Sequence, residues 1–201
     1  MSDPQRNARH AARMARKKEV IDAAIAAATD ARGLLIVITG NGKGKSTSAF
    51  GTMARALGHG MKVGVCQFIK SRTDTGEEAF FGKQPGVAWH VLGDGFTWDT
   101  QNREQDIATA QRGWEVARAM LADPAYQLVV LDELTYLMSY GYLDSDSVLD
   151  ALAHRPPDQH VIVTGRGASD ALIELADTVS IIADEKHAYR AGIKAQPGID
   201  L

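Results

Sequence analysis

The sequence predicts an α/β fold with a mainly parallel central sheet flanked by helices, and three observations carry that expectation. Short unbroken apolar runs recur at residues 34–38, 63–68, 128–131 and 161–163, as expected of strands buried on both faces. Longer stretches of helical character separate most of them, and strands alternating with helices imply a parallel sheet. The first apolar run feeds a glycine-rich turn and then a helix-like stretch opening on Lys45 and Ser46, a strand–turn–helix unit of one particular kind.

Residues 1–32 form a first compositional unit, a basic helical arm. Arg6, Arg9, Arg13, Arg16, Lys17 and Lys18 come early, an alanine-rich run follows at 23–28, and neither Gly nor Pro interrupts residues 5–32. Val20, Ile21 and Ile25 give it a modest apolar face, suited to packing on its own domain or on a partner subunit; the alternative is a solvated basic tail. Residues 33–201 form the second unit. Its helices are expected at about residues 45–57, 103–121, 145–153 and 170–176, and its further strands at 87–92 and 178–182. Residues 71–86, polar and glycine-containing, read as a mobile loop with a short helix, and an irregular tail closes the chain.

Bulk properties narrow the function classes. At 201 residues, with 45% hydrophobic and 23% charged residues, the chain suits one soluble domain with a small appendage. A net charge of -3 gives no general reason to expect nucleic acid or an anionic membrane as partner. No apolar stretch is long enough to span a bilayer, and the basic N-terminus lacks the apolar run of a secretory signal. The single cysteine, Cys66, excludes an internal disulfide and suits a reducing cytoplasm.

The run Thr39-Gly40-Asn41-Gly42-Lys43-Gly44-Lys45-Ser46-Thr47 is a phosphate cradle. Backbone N–H groups and a helix N-terminus supply partial positive charge, and glycines let the backbone approach phosphate oxygens. Lys45 supplies a point charge and the Ser46 hydroxyl suits Mg²⁺. The usual spacing would put glycine at position 39; here Thr39 stands there, the first glycine is Gly40, and an extra Lys43 sits inside the loop. The nucleotide-binding set read from this segment is Gly40, Asn41, Gly42, Lys43, Gly44, Lys45, Ser46 and Thr47, in a P-loop NTPase (RecA-like) fold. Asp132 and Glu133 follow the apolar run 128–131. Carboxylates at the carboxyl end of a parallel strand share the crevice of the phosphate loop, where they hold Mg²⁺ directly or through water. Either acid taken alone can instead cap the next segment.

Residues 95–104, GFTWDTQNRE, place Phe96 and Trp98 among glycines and polar residues, where rings are costly to expose. Together with TGNGKGKST, VGVCQFIK, VVLDELTYL, VTGRG and KHAYRAGIKAQPGID, this segment resembles the ATP:corrinoid adenosyltransferases of the CobA/CobO/BtuR type, in the family's order across nearly all of residues 33–201. The resemblance implies transfer of the 5′-deoxyadenosyl group of ATP to the Co(I) centre of a corrinoid, with inorganic triphosphate released. It implies that Phe96 and Trp98 occupy the lower face of the corrinoid, excluding an axial ligand so that Co(II) is more easily reduced. It implies Ser46 and Glu133 as Mg²⁺ ligands, ATP bound in the opposite sense to the usual P-loop orientation, a reduced flavodoxin-like flavoprotein as electron donor, and a homodimer. The family more often has threonine where Ser46 stands; either hydroxyl ligates the metal.

Arg166, in Thr164-Gly165-Arg166-Gly167, follows a strand and contacts phosphate or a corrinoid side chain, unless it is a plain surface arginine. Asn41 contacts the nucleotide or stabilises the turn. The tail with Lys186, His187, Tyr189, Arg190 and Lys194 lines a substrate or packs on the domain. The six histidines show no metal-site spacing, and Cys66 reads as an inert core residue. Two competing readings remain: a P-loop kinase or ATPase acting at the γ-phosphate, which leaves the aromatic segment unexplained, and a RecA-like module on nucleic acid, against which the charge balance argues.

Overall fold

In a computed structural model, residues 4–69, 75–93 and 102–200 are described, and the chain divides into two compact units, Met1–Ala31 and Arg32–Leu201. The first is a single helix, α1 (Pro4–Ala27). It carries a Lys18–Asp22 ion pair one turn apart, and Val20, Ile21 and Ile25 are exposed. The helix stops before Thr29 and Asp30, residue types whose side chains compete for backbone hydrogen bonds.

The second unit is built on strands β1 (Leu35–Thr39), β2 (Val63–Gln67), β3 (Val87–Val91), β4 (Leu128–Asp132), β5 (His160–Thr164) and β6 (Thr178–Ile181). These form one sheet in the order β3-β2-β4-β5-β1-β6, and every pairing is parallel. The helices are α2 (Lys45–Gly58), α3 (Gly76–Phe81), α4 (Arg103–Ala122), α5 (Leu134–Ser139), α6 (Ser145–Ala153) and α7 (Asp170–Leu175), with a 3₁₀ turn at Ala188–Ala191. This is the parallel α/β architecture of P-loop NTPases.

The unbroken apolar runs are explained by cover on both faces. Leu35, Val37, Cys66, Val129, Leu131, Val161 and Val163 join Trp114, Ala117, Leu134, Leu152 and Leu172 in one core. The alternate residues Ile38, Val63, Val65, Leu128, Val130 and Ile162 pack with Ala49, Phe50 and Met53 of α2 in a second. Helix starts follow capping chemistry: Asn102 accepts from Gln105 N at 3.2 Å and Asp144 from Ser147 N at 3.1 Å.

Two elements differ from expectation. Helix α5 begins directly after the acid pair, where no side-chain cap announces it. The tail expected to be irregular contains the 3₁₀ turn, started by Tyr189 N donating to His187 Nδ1 at 3.2 Å. At the amino end of the sheet Asp177 accepts from Leu35 N at 2.8 Å and from Arg32 Nη2 at 2.5 Å. The Arg32 hydrogen bond holds its carboxyl below the usual range.

Candidate active site

Beginning at the loop itself, Thr39 is the buried last residue of β1, and its carbonyl accepts from Ile182 N at 2.8 Å. Position 39 therefore belongs to the sheet, and the turn starts at Gly40, with φ 102°. The loop lies against the backbone that follows β6. Gly42 N–H donates to the Ile182 carbonyl at 2.8 Å, and a Cβ at Gly42 would stand 2.2 Å from the Ala183 oxygen. Gly44, φ 117°, precedes α2 without a side-chain cap, so the helix N-terminus keeps amides for an anion. Asn41 and Thr47 are exposed, and Lys45 and Ser46 are half-buried.

Lys45 Nζ donates to the Gly42 carbonyl at 2.7 Å. Burial lowers its pKa, the Arg166 guanidinium lowers it further, and the Glu133, Asp132 and Asp184 carboxylates oppose the shift. All four charged groups are close enough to act on the lysine electrostatically. Arg166 is exposed on the turn after β5, and its carbonyl accepts from Thr135 Oγ1 at 2.7 Å. Lys43, the extra lysine, pairs with Asp200 of the tail at 2.8 Å. Asp184 pairs with Arg190.

The acid pair divides into two roles. Asp132 is fully buried; its Oδ2 accepts from Gln67 Nε2 at 3.0 Å and its Oδ1 from Thr164 Oγ1 at 2.7 Å. Glu133 takes a left-handed φ of 65°, and its N–H donates to Thr164 Oγ1 at 3.0 Å. It occupies the N-cap position of α5 but makes no side-chain cap hydrogen bond, so the capping role that the sequence allowed is not taken up. Its Oε2 is withdrawn from solvent. Such a φ is unfavourable for a non-glycine residue and persists only where the surroundings hold it. Next to it, burial raises the pKa of the Tyr136 hydroxyl, with Arg166 opposing.

The structure thus brings together Gly40, Gly42, Gly44, Lys45, Glu133 and Arg166. Phe96 and Trp98 lie outside the described residues. Sequence reasoning missed Gln67, Thr164, Tyr136 and Asp184, and also the Ile182 and Ala183 backbone against the loop. For Gln67 and Thr164 a signal existed: each is a polar residue that closes an apolar run at the carboxyl end of a strand. Among the described residues no group of three or more His, Cys, Asp or Glu side chains forms a metal cage.

A glycine cradle on a helix N-terminus, with a lysine and an acid pair at the carboxyl edge of a parallel sheet, defines a P-loop enzyme acting on a nucleoside triphosphate. The chain belongs to the ATP:corrinoid adenosyltransferase family BtuR/CobO/CobP, whose family model matches residues 31–201. A second model, for the N-terminal part of cob(I)alamin adenosyltransferases, matches residues 1–25. The chain is 58% identical over 199 residues to a corrinoid adenosyltransferase of Pseudomonas aeruginosa, covering 98% of each chain. It is 53% identical to one of Escherichia coli K12 and 51% identical to the corrinoid adenosyltransferase CobA of Salmonella typhimurium, each over 96% of this chain and 97% of the relative. The enzyme is accordingly a transferase that moves the adenosyl group of ATP to a corrinoid, and the γ-phosphate reading is not favoured.

Proposed function

We propose that the charged groups around Lys45 serve a triphosphate as leaving group rather than as phosphoryl donor. The observation that carries this is the pair of charges acting on Lys45, the Arg166 guanidinium and the Glu133 carboxylate, together with a helix N-terminus that has no side-chain cap. In adenosyl transfer the Co(I) of the substrate attacks C5′ of the ribose. The C5′–O5′ bond breaks and its electron pair leaves on the α-phosphate oxygen. Charge grows at that oxygen, so the loop amides, Lys45 and Arg166 stabilise the transition state by preorganised electrostatics.

The donor set fits Mg²⁺. A hydroxyl at Ser46, one carboxylate at Glu133, and the remaining ligands from phosphate and water match the habits of this ion. When bound, the metal offsets triphosphate charge; Ser46 and Glu133 would hold it. Asn41, Lys43 and Thr47 complete the loop's nucleotide contacts, with Lys43 exchanging Asp200 for a phosphate. Phe96 and Trp98 cover the lower face of the corrinoid, a role supported by the family resemblance of their segment. We also assign a reduced flavodoxin-like protein as electron donor, a homodimeric, cytoplasmic enzyme, and a division into a basic arm at 1–32 and a catalytic domain at 33–201.

Anaerobic incubation with ATP, Mg²⁺ and chemically reduced cobalamin tests the reaction. A light-sensitive adenosylated corrinoid and one inorganic triphosphate per turnover are expected. ADP and phosphate as the only products would overturn the leaving-group assignment.

A further inference from the structure

An ordered line of side-chain hydrogen bonds crosses four neighbouring strands and runs through Asp132 of the acid pair. The Trp89 indole N–H of β3 donates to Gln67 Oε1 of β2 at 3.2 Å. Gln67 Nε2 donates to Asp132 Oδ2 of β4 at 3.0 Å, and Asp132 Oδ1 accepts from Thr164 Oγ1 of β5 at 2.7 Å. That same Thr164 oxygen accepts the Glu133 N–H at 3.0 Å. Indole only donates and carboxylate only accepts, so the Gln67 amide between them has one orientation available.

Gln67, Asp132 and Thr164 are fully buried. Apolar side chains would fill these positions without losing hydration, so a buried polar line calls for a gain in specificity. What it fixes is the backbone at Glu133, the one non-glycine residue at positive φ among the described residues. The line has a second attachment. The Trp89 ring lies 5.2 Å from that of Phe50, which stands one turn beyond Ser46 on α2. One side chain therefore touches both the phosphate-loop helix and the glutamine that orients the acid strand.

We propose that Gln67 and Trp89 are positioning residues for the metal–triphosphate site, acting through Asp132 and Thr164 on Glu133. Asp132 is the anchor, its two oxygens taken by Gln67 and Thr164, while Glu133 presents the carboxylate that meets the metal. This rests on the reading of Glu133 as a Mg²⁺ ligand.

The test is ATP binding to the full chain by calorimetry, once with Mg²⁺ and once with EDTA; the ratio of affinities is the metal-dependent gain. Glu133→Gln should abolish the gain, and its metal-free binding should be no weaker than the parent's. Gln67→Leu, which removes the bond to the Asp132 carboxylate, should cut the gain about tenfold, and Trp89→Phe, which keeps a ring on Phe50 and removes only a neutral bond, about threefold. Metal-free affinity and far-ultraviolet circular dichroism should not change in either. The double variant should be no worse than Gln67→Leu alone, because Trp89 acts through Gln67. If Gln67→Leu does not fold, Trp89→Phe carries the test by itself. An unchanged gain in Trp89→Phe and Gln67→Leu, with Glu133→Gln still losing it, refutes the positioning role and leaves the metal assignment standing. Equal losses with and without Mg²⁺ reduce the line to a structural element. A full gain in Glu133→Gln removes the metal assignment and the inference with it.

Discussion

Replacing Gly42 by alanine adds a single methyl group at the point where the phosphate loop touches the chain after β6. On the present backbone that carbon would stand 2.2 Å from the Ala183 oxygen and 2.8 Å from Ile182 Cγ2. The backbone at Gly42 is not left-handed, so the penalty is steric and comes from outside the residue. Ordinary contact begins near 3.4 Å, so loop and strand end must part by about 1 Å. That movement lengthens the Gly42 N–H bond to Ile182 and shifts the carbonyl that Lys45 holds. Overpacking of this size costs about 1–3 kcal/mol, a part of the roughly 5–15 kcal/mol that holds such a domain together. Catalysis is less tolerant, because a 1 Å misplacement costs about 100-fold in rate. Gly42→Ala is therefore expected to fold, with a modestly lower urea midpoint, and to lose about 100-fold in kcat/KM for ATP in anaerobic adenosyl transfer. Gly51→Ala is the control: nothing lies within 4 Å of its added carbon. It should be neutral or gain up to about 1 kcal/mol from helix propensity. Activity of Gly42→Ala within threefold of the parent would refute the claim that contact with residues 182–183 sets the loop.

Thr164→Val keeps the side-chain shape but takes a donor from Asp132 and an acceptor from the Glu133 N–H. A stability loss of about 3 kcal/mol is expected in urea unfolding, and a loss below about 1 kcal/mol would show that neither bond matters. Burial pushes the Cys66 thiol up to about 12 from 9.0. At pH 8 a thiol reagent should leave it unmodified in the folded protein and label it in urea; rapid native labelling would contradict its place in the core. Because the folded value is the higher, this thiol contributes stability that is fully present below pH 9.0 and lost as pH rises toward about 12. Cys66→Val should lack that part of the alkaline decline.

What the sequence made legible was local. An apolar run, a glycine turn and a lysine–serine helix start are neighbours in the chain, so their pattern was enough to place β1, the loop and α2. The acid pair was legible as a pair, but its division of labour was not. Asp132 is committed by Gln67 and Thr164, which lie 65 and 32 residues away, and only the strand order β2-β4-β5 brings them to its two oxygens. Helix α5 escaped notice because it starts from a left-handed Glu133 with no side-chain cap, a backbone event without a sequence signature. The support under the loop was invisible for a related reason: Ile182 and Ala183 act there through carbonyls, which every residue possesses. Thr39 shows how the two levels combine. Its threonine in place of a first glycine read as an off-register motif, yet its carbonyl completes a sheet bond to Ile182 N at 2.8 Å. A glycine at that position would keep the carbonyl but give up a buried side chain within the strand, and β-branched residues favour strands. The displacement of the first glycine to Gly40 is thus a consequence of where β1 ends, and the loop begins one residue later because β6 pairs with β1 as far as Thr39.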